Sequence, residues 1–305
     1  MSSAPNLILH HYDTSPFSEK VRVMLGIKGL AWRSVIQPVI MPKPDLTALT
    51  GGYRRIPVLQ VGADIYCDSQ VILAEIERRA PSPKVARGAD WAVNLWADRS
   101  FFQATVAVVF GAIGERVPAE FIKDREALSG RPFDLAAMRA AAVPMQGQWR
   151  AHASWIEQGL ADGPYLGGQA PSLADVSAYM NIWWLSAAAP HLADRLLEGL
   201  PKAAAWSTAM RDIGHGQRSE LDPKDALAIA RAAQPDAARA HDPADPLEVR
   251  PGAAVRVAAD DYGRDPIVGV LVAATSDRLT IARDDPATGP VHVHFPRIGY
   301  VVGLG

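Results

Sequence analysis

Two junctions between a strand pattern and a helix pattern constrain this chain most. The apolar run at residues 7–12 leads into Ser15 and Pro16, where a helical pattern starts. Asp68 and Ser69 open another helix further along the chain. The first turn of a helix leaves backbone N–H groups unpaired, and the helix dipole adds partial positive charge there. Two such helix starts in one small unit predict a binding site for an anion or a thiolate.

Residues 5–81 alternate between strand and helix patterns. Strand-like runs at residues 7–12 and 32–39 are each followed by a helix pattern. Two shorter runs flank the turn at residues 62–64, and a helix closes the unit. The order βαβα followed by ββα is that of a thioredoxin-like α/β domain. We therefore expect strands 1 and 2 to be parallel, and strands 3 and 4 to be antiparallel.

A long helical segment follows a Pro-rich linker, and we place this second, all-α domain at residues 88–240. Apolar residues recur there at spacings of three and four, as expected for helices that bury one face. Ser172 and Asp175 form a capping box, in which the serine oxygen accepts from an early backbone N–H and the aspartate reaches back to the cap. The pattern predicts a helical bundle with a firmly capped central helix.

Residues 247–305 change to the alternating pattern of β-strands. About five short strands are separated by turn signals such as the Asp-Tyr-Gly run at residues 261–263. This pattern predicts an all-β third domain, a small antiparallel barrel of the Src-homology-3 type. The preceding stretch at residues 242–245 has no apolar periodicity. We therefore expect the barrel to be a separate module that the rest of the fold can lose.

Composition and charge argue against several classes of function. The 305-residue chain has a net charge of −2 and no basic cluster, so nucleic-acid binding is not expected. No apolar stretch approaches the roughly 20 residues that span a bilayer, so we expect a cytoplasmic protein with no membrane partner. The single cysteine, Cys67, excludes an intrachain disulfide. His292 and His294 share a strand face, but without a third ligand in view no metal site is expected.

The motifs along residues 5–220 resemble those of the glutathione S-transferase superfamily, and the first helix start is similar to that of its serine-dependent and omega-like members. The matching motifs are the Ser-Pro-Phe-x-x-Lys-Val-Arg run at residues 15–22, the Ile-Pro pair at 56–57, the Asp-Ser pair at 68–69 and the capping box at 172–175. The resemblance implies a homodimer that takes glutathione as a substrate and holds no metal. A barrel after the helical domain is absent from ordinary members.

Ser15 is the residue before the proline, and the resemblance implies that it is the catalytic residue facing the glutathione sulfur. A capping serine accepts through its oxygen, while its hydroxyl proton stays free to be donated to a sulfur. Because hydrogen bonding to the charged form lowers a pKa, Ser15 is expected to stabilise the thiolate. Tyr12, at the strand end, is the competing hydroxyl, since other family members use a tyrosine close to this point.

The resemblance also implies which residues bind glutathione. Ile56 and Pro57 match the family's cis-proline turn, whose backbone pairs with the cysteinyl part of glutathione. Arg55 best fits the position of the family's lysine, next to the expected site of the glycine carboxylate. The same site is expected to include Phe17, next to the first helix start. Asp68 and Ser69 match the acidic-Ser pair that holds the γ-glutamyl group.

Two functions are compatible with this pattern. In the first, a glutathione transferase activates the thiolate for attack on a small apolar or aromatic electrophile, held beside the helix that starts near Trp91. In the second, the fold is a non-catalytic scaffold whose C-terminal barrel recruits a protein or peptide partner. Glutathione binding without turnover would favour the scaffold.

Overall fold

The computed structural model describes residues 6–237 and 240–305. The first residue of the predicted 5–81 domain, and residues 238–239 of the predicted helical domain, lie outside the described residues. The strands form a single ten-stranded sheet, and the helical bundle packs beside its N-terminal part.

The N-terminal part has the predicted thioredoxin-like order of elements. Its elements are β1 (Ile8–His11), α1 (Pro16–Ile27), β2 (Ala31–Ile36), α2 (Pro44–Thr50), β3 (Val58–Val61), β4 (Asp64–Cys67) and α3 (Ser69–Arg79). Strand β1 is parallel to β2 and antiparallel to β3, and β3 is antiparallel to β4. These pairings confirm the prediction that strands 1 and 2 are parallel and that strands 3 and 4 are antiparallel.

The helical bundle follows in the middle of the chain. Its elements are α4 (Asp90–Trp96), a π-helical segment (Ala97–Phe101), α5 (Phe102–Ile113), a 3₁₀ turn (Gly114–Arg116), α6 (Ala119–Ser129), α7 (Leu135–Gly159), α8 (Leu173–Ala188), α9 (Pro190–Leu197) and α10 (Pro201–Asp212). The capping box of Ser172 and Asp175 is present at the start of α8. Asp175 also accepts from the indole N–H of Trp206 at 2.7 Å, which ties α8 to α10.

After α10 the chain returns to the sheet, which the sequence did not predict. Strand β5 (Gln217–Glu220) pairs with β2 in parallel, and α11 (Pro223–Ala232) packs beside α2. All four residues of β5 are exposed, so the strand has no apolar alternation to signal it. Its pairing uses the backbone of the β2 edge and needs no apolar face.

The C-terminal extension, residues 247–305, contains the five predicted antiparallel strands. They are β6 (Ala254–Ala259), β7 (Ile267–Ala274), β8 (Arg278–Asp285), β9 (Gly289–Pro296) and β10 (Tyr300–Leu304). Their order in the sheet is β10-β6-β7-β8-β9, and every neighbouring pair is antiparallel. The predicted strand content is therefore confirmed.

The extension is joined to the N-terminal part by backbone and by core, so the expectation of a separate module is wrong. Strand β9 pairs with the edge of β4 in parallel, with Ile65 opposite Val293. His294 Nε2 lies 2.7 Å from Asp64 Oδ1 across the same junction. One hydrophobic cluster contains Ile65 and Cys67 together with Val293 and Phe295. An unpaired strand edge needs cover, and β9 supplies it for β4.

Candidate functional site

One cleft lies between the N-terminal part, the helical bundle and the extension. Six of the seven site residues predicted from the sequence line it: Phe17, Arg55, Ile56, Pro57, Asp68 and Ser69. We call these six the N-terminal wall. The exception, Ser15, is not among the lining residues. The starts of α1 and α3 and the Ile56–Pro57 turn thus meet, although they are far apart in the sequence.

Asp68 occupies the start of α3 in an unusual backbone conformation. Its φ of 93° makes it the non-glycine residue with positive φ among those that the structure describes. Its Oδ1 accepts from the backbone N–H of Gln70 at 2.9 Å, and its Oδ2 accepts from the Tyr300 hydroxyl at 3.1 Å. Such conformations are costly and cluster at ligand sites, so this carboxylate is a strong candidate for ligand binding.

The Ile56–Pro57 peptide bond beside Asp68 is cis, as the resemblance implied. Pro57 leads directly into β3, which places its backbone at the cleft. Ser69 is the first residue of α3 and lies against the same wall.

Ser15 is the N-cap of α1. Its hydroxyl oxygen accepts from the backbone N–H of Ser18 at 3.2 Å, and the residue is 2% exposed. Pro16 follows at the first helical position. The capping role is therefore observed, and the proposed role toward a sulfur stays a prediction.

Tyr12, the competing hydroxyl, lies next to this cap. Burial raises the pKa of Tyr12, and interactions with Arg125 and with the Ser15 hydroxyl partly oppose the change. Tyr12 is therefore a neutral phenol at physiological pH and can act as a hydrogen-bond donor, but not as a base.

The second wall of the cleft comes from the extension and was not predicted. We call it the extension wall, and its members are Asp261, Tyr262, Ile298, Gly299 and Tyr300. Burial, followed by the charge of Asp68, raises the pKa of Tyr300 well above its usual value. Tyr300 therefore remains protonated and able to donate to Asp68. In the sequence, the run at residues 261–263 indicates only a turn, so no motif predicted that these residues would line a cleft.

Arg55 links the two walls. Its guanidinium pairs with Asp261 and lies 4.0 Å over the ring of Tyr262. Its Nε is buried without a hydrogen-bond partner. The residue expected near the glycine carboxylate of a ligand is thus already paired with a carboxylate of the same chain.

The π-helical segment closes the cleft from the helical bundle. It brings Asp98 and Arg99 to the lining, next to Leu95. Burial raises the pKa of Asp98, while Lys20, whose Nζ lies 2.7 Å from Asp98 Oδ1, opposes the change. Short π-helical segments within α-helices occur frequently at functional sites. The part of the bundle that starts near Trp91 therefore contributes Leu95, Asp98 and Arg99 to the cleft lining.

Aromatic rings lead from the cleft into the bundle. Phe17 contacts Phe102 edge to face at 4.7 Å between ring centroids, and Phe102 stacks on Trp184 at 5.6 Å. Trp184 in turn contacts Phe110. Phe17, Phe102 and Trp184 are each partly exposed, so this aromatic row offers an apolar surface next to the N-terminal wall.

Two negative findings concern the described residues. Within them, no cluster of three or more His, Cys, Asp or Glu residues could hold a metal ion. No helix in ranges 6–237 and 240–305 is long and apolar enough to cross a membrane.

Cys67 is fully buried, and burial raises its pKa well above the usual value, so it is not a reactive thiolate.

Comparison with protein families identifies the class of this chain. Residues 9–84 match the glutathione S-transferase N-terminal domain, and residues 114–209 match the glutathione S-transferase C-terminal domain. The two matches together cover more than half of the chain. The protein therefore belongs to the glutathione S-transferase superfamily.

Solved structures extend this assignment to the extension. A GST-like protein from Pseudomonas syringae is 37% identical, with 98% of this chain and 100% of that chain covered and a TM-score of 0.80. Coverage of this extent includes the C-terminal extension. A glutathione S-transferase from Rhodospirillum rubrum F11 is 22% identical and has a TM-score of 0.53, and the match covers 67% of this chain and 87% of that chain. This likeness shows the fold alone. A search of curated proteins gives no match.

Proposed function

We propose that this protein binds glutathione in the cleft, with the γ-glutamyl end at Asp68 and Ser69. The positive φ of Asp68 and its place in the cleft lining support this placement most strongly. A γ-glutamyl group carries an ammonium and a carboxylate. The first suits the Asp68 carboxylate and the second suits the N–H groups at the start of α3. The cis turn before Pro57 lies alongside and offers backbone to the cysteinyl part.

The chemistry that we propose is activation of the glutathione thiol at the start of α1. The dipole of α1 and the Ser15 hydroxyl would lower the thiol pKa from about 8.5 toward neutrality. The thiolate then forms a carbon–sulfur bond to the electrophile, the bond from that carbon to the leaving group breaks, and the electron pair of the broken bond departs with the leaving group. The row from Phe17 to Trp184 suits a small apolar or aromatic electrophile.

A direct test combines calorimetry of glutathione binding with turnover of an activated chloronitrobenzene. We expect binding and turnover in the wild-type chain, and a Ser15→Ala variant with turnover reduced about 10²-fold, the scale of losing one preorganised donor. Thr14→Ala is the matched control, because it removes an exposed hydroxyl beside the same helix start. A Ser15→Ala variant with wild-type turnover would show that Tyr12 or the dipole of α1, and not Ser15, stabilises the thiolate.

A second candidate is the non-catalytic scaffold, and two observations favour it. Ser15 does not line the cleft, and Tyr300 and Asp261 already contact Asp68 and Arg55. The extension also exposes apolar residues on β7 and β10, among them Val268 and Val301, as a surface for a protein or peptide partner. Glutathione binding without turnover of any electrophile would support this candidate over the enzyme.

A homodimer in the cytoplasm completes the proposal. Dimerisation is typical of the superfamily to which the two domain matches assign the chain. Light scattering on the eluting peak of a size-exclusion column measures the mass directly. A species of twice the 32.8 kDa chain mass is expected, and a species of the single-chain mass would contradict the homodimer.

A further inference from the structure

Charge at the Arg55 end of the cleft is already balanced within the chain. Arg55 pairs with Asp261, while Arg99 Nη2 lies 2.7 Å from Asp260 Oδ1 and its Nη1 lies 3.7 Å from Asp261 Oδ2. Two guanidinium groups thus face two carboxylates. A ligand carboxylate that approached Arg55 would also approach Asp261, and like charges in contact are strongly unfavourable.

The loop that carries Asp261 is fixed from three sides. The backbone N–H of Gly263 donates to the Leu128 carbonyl at 2.8 Å, and the N–H of Asp260 donates to the Gly299 carbonyl at 3.0 Å. The Arg264 guanidinium donates to the Asp260 carbonyl at 2.9 Å. These bonds tie the loop to α6, to the start of β10 and to itself.

The same loop also packs closely against Leu128 and Arg55 at Gly263. Gly263 has a φ of +60°, and a Cβ there would lie 2.8 Å from a methyl carbon of Leu128 and 3.1 Å from Arg55 Nε. Within the loop, Asp261 Oδ1 accepts from the N–H of Tyr262 at 2.7 Å, which orients the carboxylate toward Arg55. Asp261 is therefore part of a fixed wall.

We propose that Asp261 is a specificity residue, and that the cleft prefers γ-glutamyl thiols whose other end carries no free carboxylate. This inference rests on the proposed glutathione site and narrows its substrate class. The Asp68 end takes the γ-glutamyl group. At the Arg55 end, Asp261 already balances the charge of the guanidinium. The free glycine carboxylate of glutathione meets the like charge of Asp261 there. An ester or amide at the glycine carries no charge, and its carbonyl oxygen can still accept a hydrogen bond from Arg55.

The test is calorimetric and compares two probes, glutathione and its glycine ethyl ester. We expect the wild-type chain to bind the ester about ten-fold more tightly than glutathione, the scale of one unfavourable charge contact. In an Asp261→Asn variant this preference disappears or reverses, because Arg55 becomes free to pair with the glycine carboxylate. Asp285→Asn is the matched control. It removes a carboxylate of the same extension that accepts from the N–H of Ala287 at 2.9 Å and does not line the cleft, so it should keep the wild-type preference.

The outcomes separate this inference from the function on which it rests. Equal or tighter binding of glutathione by the wild-type chain overturns the role of Asp261, and this comparison needs no variant to fold. The same preference in Asp261→Asn as in the wild type overturns it as well. If neither probe binds the wild type or Asp261→Asn, the proposed glutathione site fails, and the specificity proposal fails with it.

Discussion

The two walls of the cleft differ in how the chain builds them. The N-terminal wall is made at helix starts and at a cis-proline turn, which short motifs in the sequence indicate. The extension wall is made by a loop and a strand end from a segment distant in the sequence, which joins the N-terminal part where β9 pairs with β4. Local patterns thus account for one half of the site, and a contact between distant strands accounts for the other.

The largest test of this difference removes the extension wall entirely. A chain ending at Pro243 exposes the β4 edge and loses the buried side chains Val291, Val293 and Phe295. Each fully buried apolar side chain contributes about 1.5–3 kcal/mol, so the loss is comparable to the whole stability of a typical domain. We expect an insoluble or unfolded product by circular dichroism and sedimentation.

The control for this truncation is co-production of residues 244–305 as a separate chain, which should restore soluble protein. The break between Pro243 and Ala244 then remains, but the β4 edge and the shared core are covered. A soluble, cooperatively melting product without the second fragment would show that the two walls belong to independent domains after all.

A smaller effect is expected from changing the charge of the N-terminal wall. Asp68→Asn keeps the helix cap and tolerates positive φ, but it removes the negative charge. Glutathione affinity should fall by about 2 kcal/mol, the scale of a charge-assisted hydrogen bond. Asp134→Asn is matched, because Asp134 caps α7 through the N–H of Ala137 and does not line the cleft. If the two variants bind glutathione with equal affinity in calorimetry, the placement of the γ-glutamyl group at Asp68 is contradicted.

The smallest effect concerns the contact between the walls. Tyr300→Phe removes the hydroxyl that donates to Asp68, so the carboxylate loses part of its preorganisation. We expect glutathione affinity to fall about threefold, since a single orienting hydrogen bond is lost. Tyr53→Phe removes a hydroxyl bonded to Tyr300 and should have less effect. If Tyr300→Phe leaves the affinity unchanged or raises it, the extension covers the Asp68 end of the site without supporting it.

Much of the fold could be predicted because its patterns are local. The alternation in residues 5–81, the cap at Ser172 and the hairpin turn at residues 62–64 each depend on neighbouring residues, and the described residues contain them all. The alternating run around Val293 also predicted a strand, but alternation carries no information on which edge a strand will join. The joining of β9 to β4 was therefore beyond the reach of the sequence pattern, as was the exposed strand β5.

The candidate site divides in the same way. Asp68 and Pro57 could be selected because the helix start has a sequence signature and because both pairs of residues resemble motifs of the family. Asp261 and Tyr300 could not, since a turn residue and a strand residue look alike whether or not they face a ligand. Ser15 shows a further limit, because its cap could be predicted but the direction of its hydroxyl depends on Ser18 and Tyr12.

A crystal of the full chain soaked with glutathione tests the central claim, that both walls form one ligand site. The account predicts a ligand whose γ-glutamyl ammonium lies within hydrogen-bond distance of Asp68, whose sulfur faces the start of α1, and whose other side touches Tyr262 or Tyr300. A ligand bound away from Asp68, or one that touches the N-terminal wall and no residue of the extension, would contradict it.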